Sequence, residues 1–192
     1  MDPINILAGI NLIATFGAHV SGAKKGLRSA VSVPKEKPKT YLQKVPVVIS
    51  TLTLVVFIFG IFQVGTLQYT DQNFNIRFIG LSLYLTFSWI QVWAYKSLGE
   101  NYSQEILVFK NHQLVRKGPY KIIRHPQYAS QVLMDLGAGL LTLSYIVLPL
   151  VLIEIPLLVM RASMEEHLFE KHFKENFEEY KKNSGAFFPY VG

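Results

Sequence analysis

Charged positions are spaced so unevenly along the chain that their gaps mark out the elements. Between Lys44 and Asp71 lie 26 uncharged residues, VPVVISTLTLVVFIFGIFQVGTLQYT, and between Arg77 and Lys96 lie 18 more. A membrane span needs roughly 20 apolar residues, and a run of 18 or more qualifies. Both stretches are therefore predicted spans. An earlier segment, residues 4–20, is apolar but interrupted by Asn5, Asn11 and His19. It lacks the basic start and cleavage signal of a signal peptide, so it reads as a retained span with His19 at the interface. From Gln131 to Met160 the apolar run is too long for one span and breaks near LSYIVLP. That predicts a helical hairpin over 129–145 and 147–163, each helix about 25 Å long at 1.5 Å per residue. After it, RASMEEHLFEKHFKENFEEYKK reads as one amphipathic helix, ended near Asn183 and Gly185.

The fold class that follows is all-α: a polytopic membrane protein with about five transmembrane helices. Residues 1–97 hold three spans and a basic loop over 24–44. Residues 98–192 hold a polar insert of about 30 residues, the hairpin and the amphipathic helix.

Charge then orients the chain. The 24–44 loop carries seven basic residues against one acid, Glu36, and residues 96–124 carry six more basic residues. Basic loops stay in the cytoplasm, which puts the N-terminus outside and the polar insert on the cytosolic face. These charges flank spans without interleaved aromatics, so they fit anionic membrane lipid better than nucleic acid. The absence of cysteine removes disulfides, thiolate metal sites and thiol nucleophiles. His167 and His172 are five apart, unlike the i, i+4 metal pair of a helix. No metal is expected. The GAG at 137–139 follows no strand, so it reads as close helix packing and not as a dinucleotide motif.

The candidate chemistry lies in GPYKIIRHPQYASQ, residues 118–131. Pro126 suits the first turn of a helix, and His125 before it is pushed to an extended conformation. A helix starting there presents unpaired N–H groups and a positive dipole end, which suits a carboxylate. Arg124, His125 and Tyr128 would surround it, and the Gly118–Pro119 turn brings residues 112–115 near. An interfacial loop with tyrosines and basic residues at headgroup level accounts for the same composition. On the returning arm of the hairpin, Arg161 and Glu165 share a helix face four residues apart. They read either as an intrahelical ion pair or as partners of the knot. Glu166 points about 100° away. Asp135 and Glu154 are acids inside the hairpin, where they must face protein or water.

HQLVRKGPYKIIRHPQY, followed by RASMEE and then FEEYKK, resembles the isoprenylcysteine carboxyl methyltransferases and related membrane phospholipid methyltransferases over roughly residues 98–190. The resemblance implies S-adenosylmethionine as cofactor, in a cytosolic pocket formed by the C-terminal half. By position it implies contacts from His112, Gln113, Leu114, Val115, Tyr120, His125, Pro126, Gln127, Tyr128 and Glu165. Glu105 stands where some relatives carry a cofactor-contacting glutamine. Arg161 would orient the carboxylate of a lipophilic acceptor entering from the bilayer. The chemistry agrees with that assignment. His125 and the helix start suit the cofactor's carboxylate, Glu165 its amino group, and Tyr128 or Tyr120 its sulfonium. The expected activity is carboxyl methylation of a prenylated cysteine. Alternatives are a phospholipid N-methyltransferase, with Glu166 or His172 as base, a membrane sterol reductase, and a non-enzymatic scaffold.

Overall fold

The computed structural model of the chain describes residues 2–29 and 34–191, with side chains described through residue 18 and again from residue 34. The expectation for His19 lies outside the described side chains. Among the described residues six α-helices run in chain order: α1 (Pro3–Ser29), α2 (Val45–Ile61), α3 (Phe74–Leu98), α4 (Pro126–Thr142), α5 (Val147–Phe173) and α6 (Glu175–Asn183). Two short strands, β1 (Pro34–Glu36) and β2 (Val108–Phe109), pair antiparallel. The chain is thus mostly helical, in line with the all-α expectation, with one short ladder added. The pairing ties the basic segment before α2 to the insert between α3 and α4.

Two helical stretches among the described residues are long and apolar enough to cross a membrane, Tyr41–Ile61 and Val147–Phe173; Pro3–Ala18 is a shorter apolar one. Large apolar side chains such as Ile13, Phe59, Phe78 and Leu152 face outward, while Ile4, Phe57, Leu81, Leu141 and Val151, one from each of α1 to α5, form the core. α3 and α4 pack closely through glycine. A Cβ on Gly137 would stand 2.5 Å from the Tyr84 backbone nitrogen, and one on Gly80 would stand 2.4 Å from that of Leu141. Small residues let helix backbones approach in this way.

Opposite the site, one buried side chain ties three helix ends together. Arg77 donates to Leu141 O, to Asn5 Oδ1 and, through both terminal nitrogens, to the Asp2 carboxylate. Asp2 also accepts from the N–H groups of Ile4 and Asn5, capping α1. In the sequence Arg77 only bounds an uncharged run; the structure makes it the centre of a buried latch.

Two boundaries depart from expectation. α1 runs on to Ser29 and not Val20, so its last turns take up the first part of the basic loop. The hairpin turns where expected, but its second helix does not stop near 163. It continues through Arg161 and Glu165 to Phe173, and the chain breaks at Lys174 (φ 46°) before α6. The amphipathic segment is therefore two pieces. Its first half is rigidly continuous with the hairpin, while α6 folds back over the insert.

Candidate active site

The RHPQY turn is held from three sides. Pro126 opens α4, and His125 precedes it at φ −121°, ψ 55°, outside helical angles. The Arg124 and His125 N–H groups donate to Gly185 O (2.8 Å) and Ala186 O (3.0 Å), so residues 184–191 lie against the turn. The His125 ring sits between Tyr128 and Phe187, with both centroids 5.6 Å away. A Cβ at Gly185 would fall 1.7 Å from Phe188 O, which is why glycine stands there. Sequence reasoning took Asn183 and Gly185 as a terminator and missed this tail. The available signal was the apolar, aromatic AFFPYV following a charged helix.

α5 brings the second half of the site. Tyr128 donates its hydroxyl to Glu165 Oε1 (2.5 Å) and accepts from Arg161 Nε (2.8 Å); Arg161 Nε also lies 3.4 Å from Glu165 Oε1. The Arg161 terminal nitrogens donate to Leu42 O (3.3 Å) and Gln104 O (2.5 Å). Three of the five guanidinium N–H bonds are thereby used, and the head is fixed with two left to donate. Both carbonyls come from loops that sequence reasoning did not associate with the site.

Two cavities meet at this point. The smaller, about 90 Å³, is lined by His112, Tyr120, His125, Gln127, Tyr128 and Glu165, with Glu105 at its edge. The larger, about 390 Å³, combines apolar residues of α1 and α2 (Leu12, Phe16, Val47, Leu54) with Arg161, Gln131 and Asp135. That volume lies in the range of ligand pockets. Ser103, Gln127 and Tyr128 line both. Of the residues singled out in the sequence, Arg161 thus faces the larger cavity and Glu165 the smaller.

The others divide. Glu105 is half exposed and pairs with Lys37 at 2.7 Å. Gln113 is exposed and its N–H donates to Asn101 Oδ1, while Leu114, Val115 and Pro126 line neither cavity. His112 stacks among Phe109, Phe169 and Phe173, and its buried Nδ1 has no hydrogen-bond partner. Burial pushes its pKa down to about 4, so the ring is neutral. Asp135 accepts from Gln131 (2.6 Å), and the wholly buried Glu154 accepts from the Ser50 hydroxyl.

Residues 78–171 match the sequence model of the Isoprenylcysteine carboxyl methyltransferase (ICMT) family. The match takes in 94 of the chain's 192 residues. The whole chain also superposes on the structure of the eukaryotic intramembrane Ras methyltransferase ICMT, with a TM-score of 0.59 and 17% identity. That alignment covers 100% of this chain and 69% of the other, and shows a shared membrane fold. Among curated relatives, the uncharacterized protein YpbQ of Bacillus subtilis is 42% identical over 57 residues, 30% of this chain and 34% of that protein. The cobalt-zinc-cadmium resistance protein CzcN of Cupriavidus metallidurans is 35% identical over 80 residues, 42% of this chain and 37% of that protein. The chain thus matches only about a third of the length of these relatives. The ICMT match begins within α3 and ends within α5, so it contains the RHPQY turn, the hairpin and the Arg161–Glu165 pair. The tail that buttresses His125 lies beyond it.

Proposed function

We propose that the chain is an integral-membrane methyltransferase that moves a methyl group from S-adenosylmethionine to the carboxylate of a prenylated cysteine or a similar lipophilic acid. One observation carries this reading: a small cavity with charged and polar groups in its lining and a larger one walled by apolar helix residues share a wall at Tyr128. Glu165 is on one side of that wall and Arg161 on the other. The match to the ICMT family model favours carboxyl over amine acceptors.

The donor set of the smaller cavity fits the cofactor. The α4 start leaves the Gln127 and Tyr128 N–H groups for a carboxylate, and Glu165 Oε2 is an acceptor for an ammonium. The unpartnered His112 Nδ1 accepts a donor from a planar ring, and Tyr128 offers a face to a cation. About 90 Å³ cannot enclose a nucleoside as well, so the adenosine end reaches out along the insert. When bound, the cofactor supplies an electrophilic methyl group on a sulfonium.

The chain's residues supply position. Arg161 holds one acceptor oxygen through its two remaining N–H bonds and leaves the other to attack. A carboxylate needs no base, so alignment and exclusion of water carry the rate. The apolar residues of α1 and α2 take the lipid chain from the bilayer. In this reading α1 to α5 span the membrane, residues 1–97 form one wall, and residues 98–192 form the catalytic region. The basic residues around the insert hold it on the cytoplasmic face against anionic lipid.

Labelled S-adenosylmethionine is expected to bind the purified protein, to be lost in Glu165→Ala and His125→Ala, and to pass its methyl to a prenylcysteine acid. No binding by the wild type, or normal binding by both variants, sinks the proposal. Transfer to an amino-headgroup lipid alone would replace the acceptor.

A further inference from the structure

The mechanism above gives Asp135 and Glu154 no task, yet both stand at the larger cavity. Asp135 lines it among Leu54, Phe57, Met134 and Leu158, and the wholly buried Glu154 adjoins Asp135 from α5. Other polar side chains of that cavity point at the two acids. Gln91 donates to Gln131 Oε1, which turns the Gln131 amide nitrogen onto Asp135 Oδ2 at 2.6 Å. From α2, the Ser50 hydroxyl donates to Glu154 Oε1. These donors do not fill the acids, because a carboxylate accepts up to about four hydrogen bonds. Glu154 Oε2 is buried with no partner, and among the described residues no basic side chain bears on either acid.

This acceptor-rich floor lies at a fixed depth. Asp135 follows Tyr128 by seven residues on α4, and Glu154 precedes Arg161 by seven on α5. Seven residues are nearly two turns, so each acid shares a helix face with its site residue and lies about 10 Å along from it. A plain hydrocarbon chain running down from Arg161 covers these oxygens, excludes water and offers nothing in return, which is costly. A chain with a hydrogen-bond donor at that depth matches them.

We propose that the larger cavity selects a lipophilic acid whose chain carries a hydroxyl or amine about 10 Å from the reacting carboxylate, and that Asp135 receives that donor. The inference rests on reading Arg161 as the holder of the acceptor's carboxylate, and it narrows the acceptor class. A prenyl chain without a polar group fits the apolar walls and leaves the floor unmatched.

Long-chain acids with a hydroxyl, an amine or only hydrogen about 10 Å from the carboxyl test it on the full chain, with labelled S-adenosylmethionine as donor. The wild type is expected to favour the hydroxyl and amine acids over the plain one by about 10- to 100-fold in kcat/KM. No preference, or a preference for the plain acid, overturns the proposal. Asp135→Leu is expected to bring the ratio near one. A variant that keeps the wild-type ratio, or loses all three acids equally, shows that Asp135 only holds the helices together, and overturns it. Asp135→Asn keeps an acceptor oxygen without the charge, so it is expected to retain the preference for the hydroxyl acid and lose that for the amine. Should Asp135→Leu fail to fold, the wild-type ratio and Asp135→Asn decide. Displacement of a fluorescent fatty acid, measured without methyl donor, separates this inference from the proposed function. Preferential displacement by the hydroxyl and amine acids without methyl transfer keeps the inference and sinks the function; equal transfer to all three acids does the reverse.

Discussion

His112 has a ring nitrogen out of water with nothing to bond, walled by three phenylalanine rings. Its pKa is lowered to about 4, whereas the unfolded chain titrates near 6.5. The sign follows from which state binds the proton. Between those values the unfolded chain takes it up and the folded chain does not, so stability is full above pH 6.5 and falls as pH drops toward 4. His112→Phe keeps the stacking and removes the titration. Melting curves across that window are expected to show a shallower acid limb for the variant; identical limbs would refute the assignment. At this scale much was legible. Pro126 announced a helix start, and Arg161–Glu165 at i, i+4 announced a shared face. The Leu42 and Gln104 carbonyls were not, because a backbone acceptor carries no residue signature.

At the scale of elements, the hairpin, the glycine contact and the uncharged runs follow from patterns that local physics enforces. The break at Lys174 does not. A non-glycine residue at positive φ is held there by tertiary contacts, here the return of α6 across the insert, where Tyr180 donates to Tyr120 O at 2.5 Å. The tail was equally hidden, since its bonds join Gly185 and Ala186 to residues some 60 positions earlier. Gly185→Ala tests how far the turn depends on it. The added Cβ cannot be accommodated beside Phe188 O, so the tail must lift away from Arg124 and His125. Amide hydrogen exchange is expected to quicken at Arg124 and His125, and cofactor binding to weaken, with α1 to α3 unaffected. Unchanged exchange at those two amides would show that the tail is incidental.

For the whole molecule, the site end and the latch end are different kinds of object. The first is built from loops around two helix ends, the second from one arginine and the acid that caps α1. Arg77 holds the Asp2 carboxyl below its usual range. This contribution is present above the ordinary carboxylate pKa and is lost as pH falls through the depressed one. Asp2→Ala removes a helix cap and leaves a buried guanidinium with fewer acceptors. It is expected to destabilise by about 1–3 kcal/mol, read as a lower melting temperature with cofactor affinity unchanged. A variant that melts like the wild type would deny the latch its role.

The wall that Ser103, Gln127 and Tyr128 give to both cavities has a thermodynamic consequence. A molecule settling on one side of Tyr128 restricts that ring for whatever arrives on the other. The two occupants are then linked through one side chain, and linkage is reciprocal. If the acceptor tightens the grip on the methyl donor by some factor, the donor tightens the grip on the acceptor by the same factor. Titrating each in the presence and absence of the other yields that shared factor, and a factor of one would mean that the two cavities do not communicate through this wall.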